Sequence, residues 1–163
     1  MLAEGEPVMR DRFMARAIEL SISNVRAGTG GPFAAVIVKA GRIVAEGANL
    51  VTSTRDPTAH AEIVAIRTAC RELKNFYLTG CILYTTCEPC PMCLGAVYWA
   101  HLKQVYFANT RDDAALIGFD DSLIYRELVL PPRSRKIEMT QLMRSQALVA
   151  FREWHANPDK LLY

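Results

Sequence analysis

The 163-residue chain predicts an α/β protein, a mixed β-sheet with helices on its faces. Three observations carry that expectation. Short apolar runs of strand type alternate along the chain with segments of helical periodicity. Two early apolar runs meet at Ala40-Gly41, which reads as an antiparallel hairpin. The later strands are separated by helical crossovers, which suits parallel pairing, so both strand directions share one sheet.

The elements follow in order. "MRDRFMARAIELSISNVRAG" sets Phe13, Ala17, Ile18, Ile22 and Val25 at helical spacing, and it stops at Gly28. Gly30, Gly31 and Pro32 then make a loop. "FAAVIVKAGRIVAEGANLV" is the hairpin. "STRDPTAHAEIVAIRTACREL" opens with turn residues and continues as a helix, with Ile63, Ile66, Ala69 and Cys70 in phase. "CILYTT" is a short buried-type strand, "PMCLGAVYWA" a helix opened by Pro91, and "KQVYFAN" the next strand. "RDDAALIG" and "DDSLIYREL" read as short helices and "RKIEMTQ" as a further strand. "MRSQALVAFREWHA" reads as a closing helix with Ala147, Phe151 and Trp154 along one face. Trp99 is expected in the core. With no repeat and no linker rich in Pro, Gly or Ser, residues 1–163 are expected to form a single domain.

Composition narrows the function class. A net charge of +2, with "PPRSRK" as the densest basic run, lacks the basic stripe of a nucleic-acid binder. No leader-like start and no apolar stretch of membrane-spanning length is present, so no membrane partner is expected. Five cysteines, an odd number, point to reduced thiols and a cytoplasmic protein rather than a disulfide scaffold.

Two segments stand out, "PTAHAEI" and "EPCPMC", each where a helix begins. Cys90 and Cys93 lie three apart, so a helical turn brings their sulfurs to one side. The unpaired N–H groups of a helix start favour the thiolates that bind metal. His60 supplies a third ligand from the other helix start. Three protein ligands leave a tetrahedral Zn2+ one position for water, and Glu62, two residues from His60, can act as the catalytic proton carrier. Cys87 keeps a second reading open. Cys87, Cys90 and Cys93 with His60 would make a closed structural site.

His60, Glu62, Pro89, Cys90 and Cys93 match the H-x-E and P-C-x-x-C signature of zinc nucleobase deaminases. With "GGPFAAVIV", "DPTAHAEI", "LYTTCEPCPMCLGAVYWA", "IGFDDSLIY" and the terminal Tyr163, the chain resembles the cytidine deaminase superfamily, and within it the bacterial guanine deaminases. That resemblance implies a three-layer αβα sandwich around a five-stranded mixed sheet. It implies Zn2+ on His60, Cys90 and Cys93, with Glu62 as proton shuttle. It also implies hydrolytic deamination of a free nucleobase, guanine to xanthine plus ammonia. Asn49 would bond the purine carbonyl or ring edge, Phe33 would stack on the ring, and Asp121 would read its amino side. A homodimer is implied, its C-terminal segment of about 141–163 exchanged so that Tyr163 closes the partner's pocket. From the residues alone, Asn49 also reads as a turn former, Phe33 as core and one of Asp120, Asp121 and Ser122 as a helix cap. Relatives acting on guanosine, aminotriazines, cytosine-like bases or tRNA adenosine, and a non-catalytic zinc module, stay open.

Overall fold

The computed structural model describes residues 5–162, with side chains from Arg10 onward. The chain divides into two compact units, the first ending at Asp121 and the second beginning at Ser122. In the first unit the elements are α1 (Gly5–Arg26), β1 (Ala34–Lys39), β2 (Arg42–Ala48), α2 (Val51–Thr54), α3 (Ala61–Leu73), β3 (Cys81–Cys87), α4 (Pro91–Trp99), β4 (Gln104–Asn109) and α5 (Arg111–Leu116). The second unit holds α6 (Ser122–Leu128), a 3-10 turn (Pro132–Ser134) and α7 (Arg144–Ala156).

The sheet order is β2-β1-β3-β4. β1 runs antiparallel to both β2 and β3, while β3 and β4 are parallel, with α4 as the crossover. The mixed sheet expected from the sequence is therefore present. Alternation along β1 builds the layers. Val36 and Val38 point one way, onto Phe13 and Ala17 of α1 and Tyr84 of β3. Ala35 and Ile37 point the other way, joining Leu83, the α3 residues Ala61, Ala65, Ile66 and Ala69, and Val97 of α4. Helices thus cover both faces of the sheet.

α3 sits unusually close to the sheet. Ala61, Ala65 and Ala69 are completely buried at four-residue spacing. Opposite them, a Cβ added to Gly47 would stand 2.3 Å from the Ala61 carbonyl oxygen and 2.6 Å from the Ala65 nitrogen. No side chain larger than hydrogen fits there.

Three expectations are corrected. The sheet has four strands among the described residues rather than five. The segment read as the extra strand, 135–141, takes no strand conformation. Its apolar positions, Ile137 and Met139, are exposed, so a strand there would gain no burial. Arg135 instead donates to the Glu127 and Leu130 carbonyls, both at 3.1 Å, and Lys136 N–H to the Glu127 carboxylate at 2.6 Å, tying the segment back to α6. Trp99 is 67% exposed in the first unit rather than core. The inner face of α1 is also rotated from the one read off the apolar spacing. Phe13 and Ala17 are buried as expected, but Ile18, Ile22 and Val25 are exposed and Ser21 and Asn24 are buried in their place. Among the described residues no helix is long and apolar enough to cross a membrane.

Candidate metal centre

Local turn chemistry delivers His60. Asp56 Oδ1 accepts from Thr58 N–H at 2.8 Å and from the Thr58 hydroxyl at 2.7 Å, and His60 N–H donates to the Thr58 carbonyl at 2.8 Å. The chain then enters α3 with His60 as the N-cap residue, extended at φ −67° and ψ 154°. Cys90 plays the same part for α4, at φ −64° and ψ 168°, with Pro91 following at the first helical position. Two helix starts, separated in sequence, therefore present one ligand each, and Cys93 adds a third from the first turn of α4.

The nitrogen of His60 and the sulfurs of Cys90 and Cys93 all lie within 4.8 Å of one another. His60 Nδ1 is 3.6 Å from each sulfur. Zinc–sulfur and zinc–nitrogen bonds of ordinary length at a tetrahedral angle put nitrogen and sulfur about 3.6 Å apart. The donor set also fits a borderline-soft cation. The Cys90 thiol is held down to about 4, chiefly by a hydrogen bond from Cys93 and also by His60. Cys93 is pushed up, first by that same bond and then by burial. Its hydrogen bond with Cys90 holds His60 above the usual imidazole range. Cys90 is thus the sulfur most readily deprotonated in the group, the form in which a cysteine binds a cation.

Cys87 does not join it. Its thiol is buried and donates to the Thr110 carbonyl at 3.5 Å. Burial pushes it up to about 11, and its sulfur is not among the ligand atoms that gather around His60. The closed four-ligand reading has no support in this geometry.

Glu62, in the first turn of α3, is buried beside the cluster. Its Oε2 accepts from the Cys93 thiol at 3.4 Å and its Oε1 from the Thr85 hydroxyl at 3.1 Å. Burial raises its pKa above the usual carboxylate range, and the nearby Cys90 charge adds to the shift. Thr85, only 1% exposed on β3, is a site residue that sequence reasoning missed. The available signal was a hydroxyl in a strand that otherwise reads as buried.

Leu50 N–H donates to the Ala59 carbonyl at 2.9 Å, which ties the end of β2, and Asn49 with it, to the turn before His60. Asn49 is buried; its Oδ1 accepts from Gly31 N–H and Val51 N–H, each at 3.3 Å, so these two bonds engage the oxygen of the amide and not Nδ2. Phe33 meets Phe119 edge to face, with centroids 4.9 Å apart. Phe119 belongs to the "IGFDDSLIY" segment that carried the resemblance, where it was given no role of its own. Asp121 is held above the usual carboxylate range, first by desolvation and then by the Cys90 charge. Tyr163 lies outside the described residues.

Residues 8–109 match the sequence model of the cytidine and deoxycytidylate deaminase zinc-binding region. The chain belongs to this family. It is 52% identical to guanine deaminase of Bacillus subtilis over 153 residues, which is 94% of this chain and 98% of that one. The crystal structure of that protein superposes with a TM-score of 0.91 over the same shares. The structure of a guanine deaminase from Nitrosomonas europaea is 34% identical, with a TM-score of 0.64 over 89% of this chain and 84% of that one. A tRNA-specific adenosine deaminase of Aquifex aeolicus is 48% identical, but only over 47% of this chain and 51% of its own.

Proposed function

We propose that this deaminase hydrolyses guanine to xanthine and ammonia, with a zinc ion held by His60, Cys90 and Cys93. The observation that carries the substrate is the end-to-end likeness to a guanine deaminase, whereas the likeness to the tRNA-acting relative spans about half the chain. The net charge of +2 favours the same choice, a small nucleobase rather than a polyanion.

Bound there, zinc would supply a water acidic enough to act as nucleophile at neutral pH. The chain's own groups do the rest. Glu62 accepts a proton as the water oxygen bonds to C2 of the base, and returns it to ring N3. It then carries the remaining hydroxyl proton to the amino group. The C2–N2 bond breaks, ammonia leaves and the C2 carbonyl of xanthine forms. A carboxylate raised by burial suits both accepting and giving up that proton. Asn49 Nδ2 bonds the 6-oxo group, Phe33 lies against the ring, and Asp121 receives the amino side.

The whole of 1–163 serves as one deaminase domain, and a homodimer exchanging about 141–163 brings Tyr163 over the partner's pocket. The exposed apolar side chains of α7 in its own unit, Phe151 and Trp154 among them, support that reading. The five free thiols fit a reducing cytoplasm.

Ammonia release from guanine, guanosine, cytosine, an aminotriazine and tRNA tests the substrate. Guanine should turn over fastest. A chain inert to guanine but active on another of these would overturn the guanine assignment and leave family membership intact.

Thr85 supplies a second check. Replacing it by valine removes the one hydroxyl that holds Glu62 Oε1. Thr85→Val should lower kcat by roughly tenfold, as loss of an outer-shell partner does, with metal content unchanged. Steady-state kinetics beside elemental analysis would show it.

A further inference from the structure

The inner face of α1 changes character along its length. Phe13 and Ala17 meet the sheet, but the next inward positions are the buried polar residues Ser21 and Asn24. Ser21 Oγ donates to the Pro32 carbonyl at 2.7 Å. Asn24 engages both N–H donors and its carbonyl oxygen. Nδ2 donates to the Gly31 carbonyl at 3.0 Å and to the Asn49 carbonyl at 2.9 Å, and Oδ1 accepts from the Thr29 hydroxyl at 2.5 Å. One buried amide thus clamps the loop before β1 to the residue after β2.

Both clamped segments lead to the base pocket. Gly31 N–H donates to Asn49 Oδ1, which fixes the direction of the Asn49 amide. Asn49 N–H donates to the Phe33 carbonyl at 2.9 Å. The approach is close, since a Cβ on Gly30 would stand 2.0 Å from the Asn49 carbonyl oxygen. An apolar side chain at position 24 would pack on a helix face equally well, but it would leave two carbonyls without their donor.

We propose that Asn24 is a positioning residue for base recognition. Its two N–H bonds set where the Asn49 amide stands relative to Phe33, and so direct Asn49 Nδ2 at the 6-oxo group of a purine. The inference rests on the reading above that Asn49 and Phe33 meet the base.

The test separates recognition of the oxo group from general damage. 2-Aminopurine keeps the amino group of guanine and lacks the 6-oxo group. In Asn24→Ser, the KM for guanine should rise about tenfold, the loss of roughly one well-placed hydrogen bond, with kcat within about twofold of wild type. The inhibition constant of 2-aminopurine should stay at its wild-type value. Thr29→Val, which removes the hydroxyl that donates to Asn24 Oδ1 and to the Asn24 backbone carbonyl, should shift guanine KM in the same direction by less, and it keeps the test alive if Asn24→Ser fails to fold. Guanine and 2-aminopurine weakening together, or neither changing, would overturn the proposal. Asn49→Ala is the control. If it shows the selective loss and the Asn24 and Thr29 variants do not, only the positioning role falls. If Asn49→Ala also lacks it, the assignment of Asn49 to the base falls, and the positioning role with it.

Discussion

Glu62→Gln is expected to keep its metal and lose about 10²–10⁴-fold in kcat, the share that a positioned proton carrier contributes. The substitution is nearly isosteric. The Thr85 hydroxyl can still donate to the amide oxygen, and His60, Cys90 and Cys93 are untouched. What disappears is a group that can accept a proton from water and hand it to the base. An amide does neither. Measured kcat alongside one equivalent of bound metal decides the matter, and turnover near wild type would remove Glu62 from the role.

The second large effect separates the two sulfur sets. Cys90→Ser should weaken metal binding by more than about 100-fold, since the loss of an outer-shell partner alone costs 10–100-fold. Activity should fall with it. Cys87→Ser should leave metal content and turnover near wild type, because the Cys87 thiol is committed to the Thr110 carbonyl and lies outside the His60, Cys90 and Cys93 group. Cobalt substitution gives an independent readout. Charge-transfer absorption fitting two thiolates supports the site drawn here, and absorption fitting three would restore the closed site with Cys87.

The parts of the molecule that were legible in the sequence are those whose signal is local. The hairpin at Ala40-Gly41 and the helix starts at His60 and Cys90 each depend on residues within a few positions of one another. The gathering of His60, Cys90 and Cys93 was readable for the same reason, because each half of the motif is short. What escaped depends on distant partners. Thr85 and Glu62 are 23 positions apart, and nothing near Thr85 shows that its hydroxyl faces a carboxylate. The face of α1 was misread because apolar spacing favours Ile18, Ile22 and Val25. The helix instead turns Ser21 and Asn24 inward, where loop carbonyls await donors. Burial there follows hydrogen-bond demand, which a hydropathy pattern does not record. The segment 135–141 failed as a strand because alternation over two apolar residues, without a neighbouring ladder, is too little to hold one.

The alanine seam beneath α3 carries a mechanical consequence. Along the line of Ala61, Ala65 and Ala69 the helix offers only methyl groups, which cannot fold aside when something thicker is slipped underneath. A larger residue at Ala65 or Ala69, or any side chain at Gly47, would act as a shim. It would lift the whole rod, carrying His60 and Glu62 at its tip away from the sulfurs of α4 and the hydroxyl of β3. Displacement by about an ångström can cost an enzyme two orders of magnitude in rate. Lesions up to about two turns along the helix from Glu62 would then impair chemistry in a protein that still folds, and the tightness of this seam becomes the machining tolerance of the catalyst.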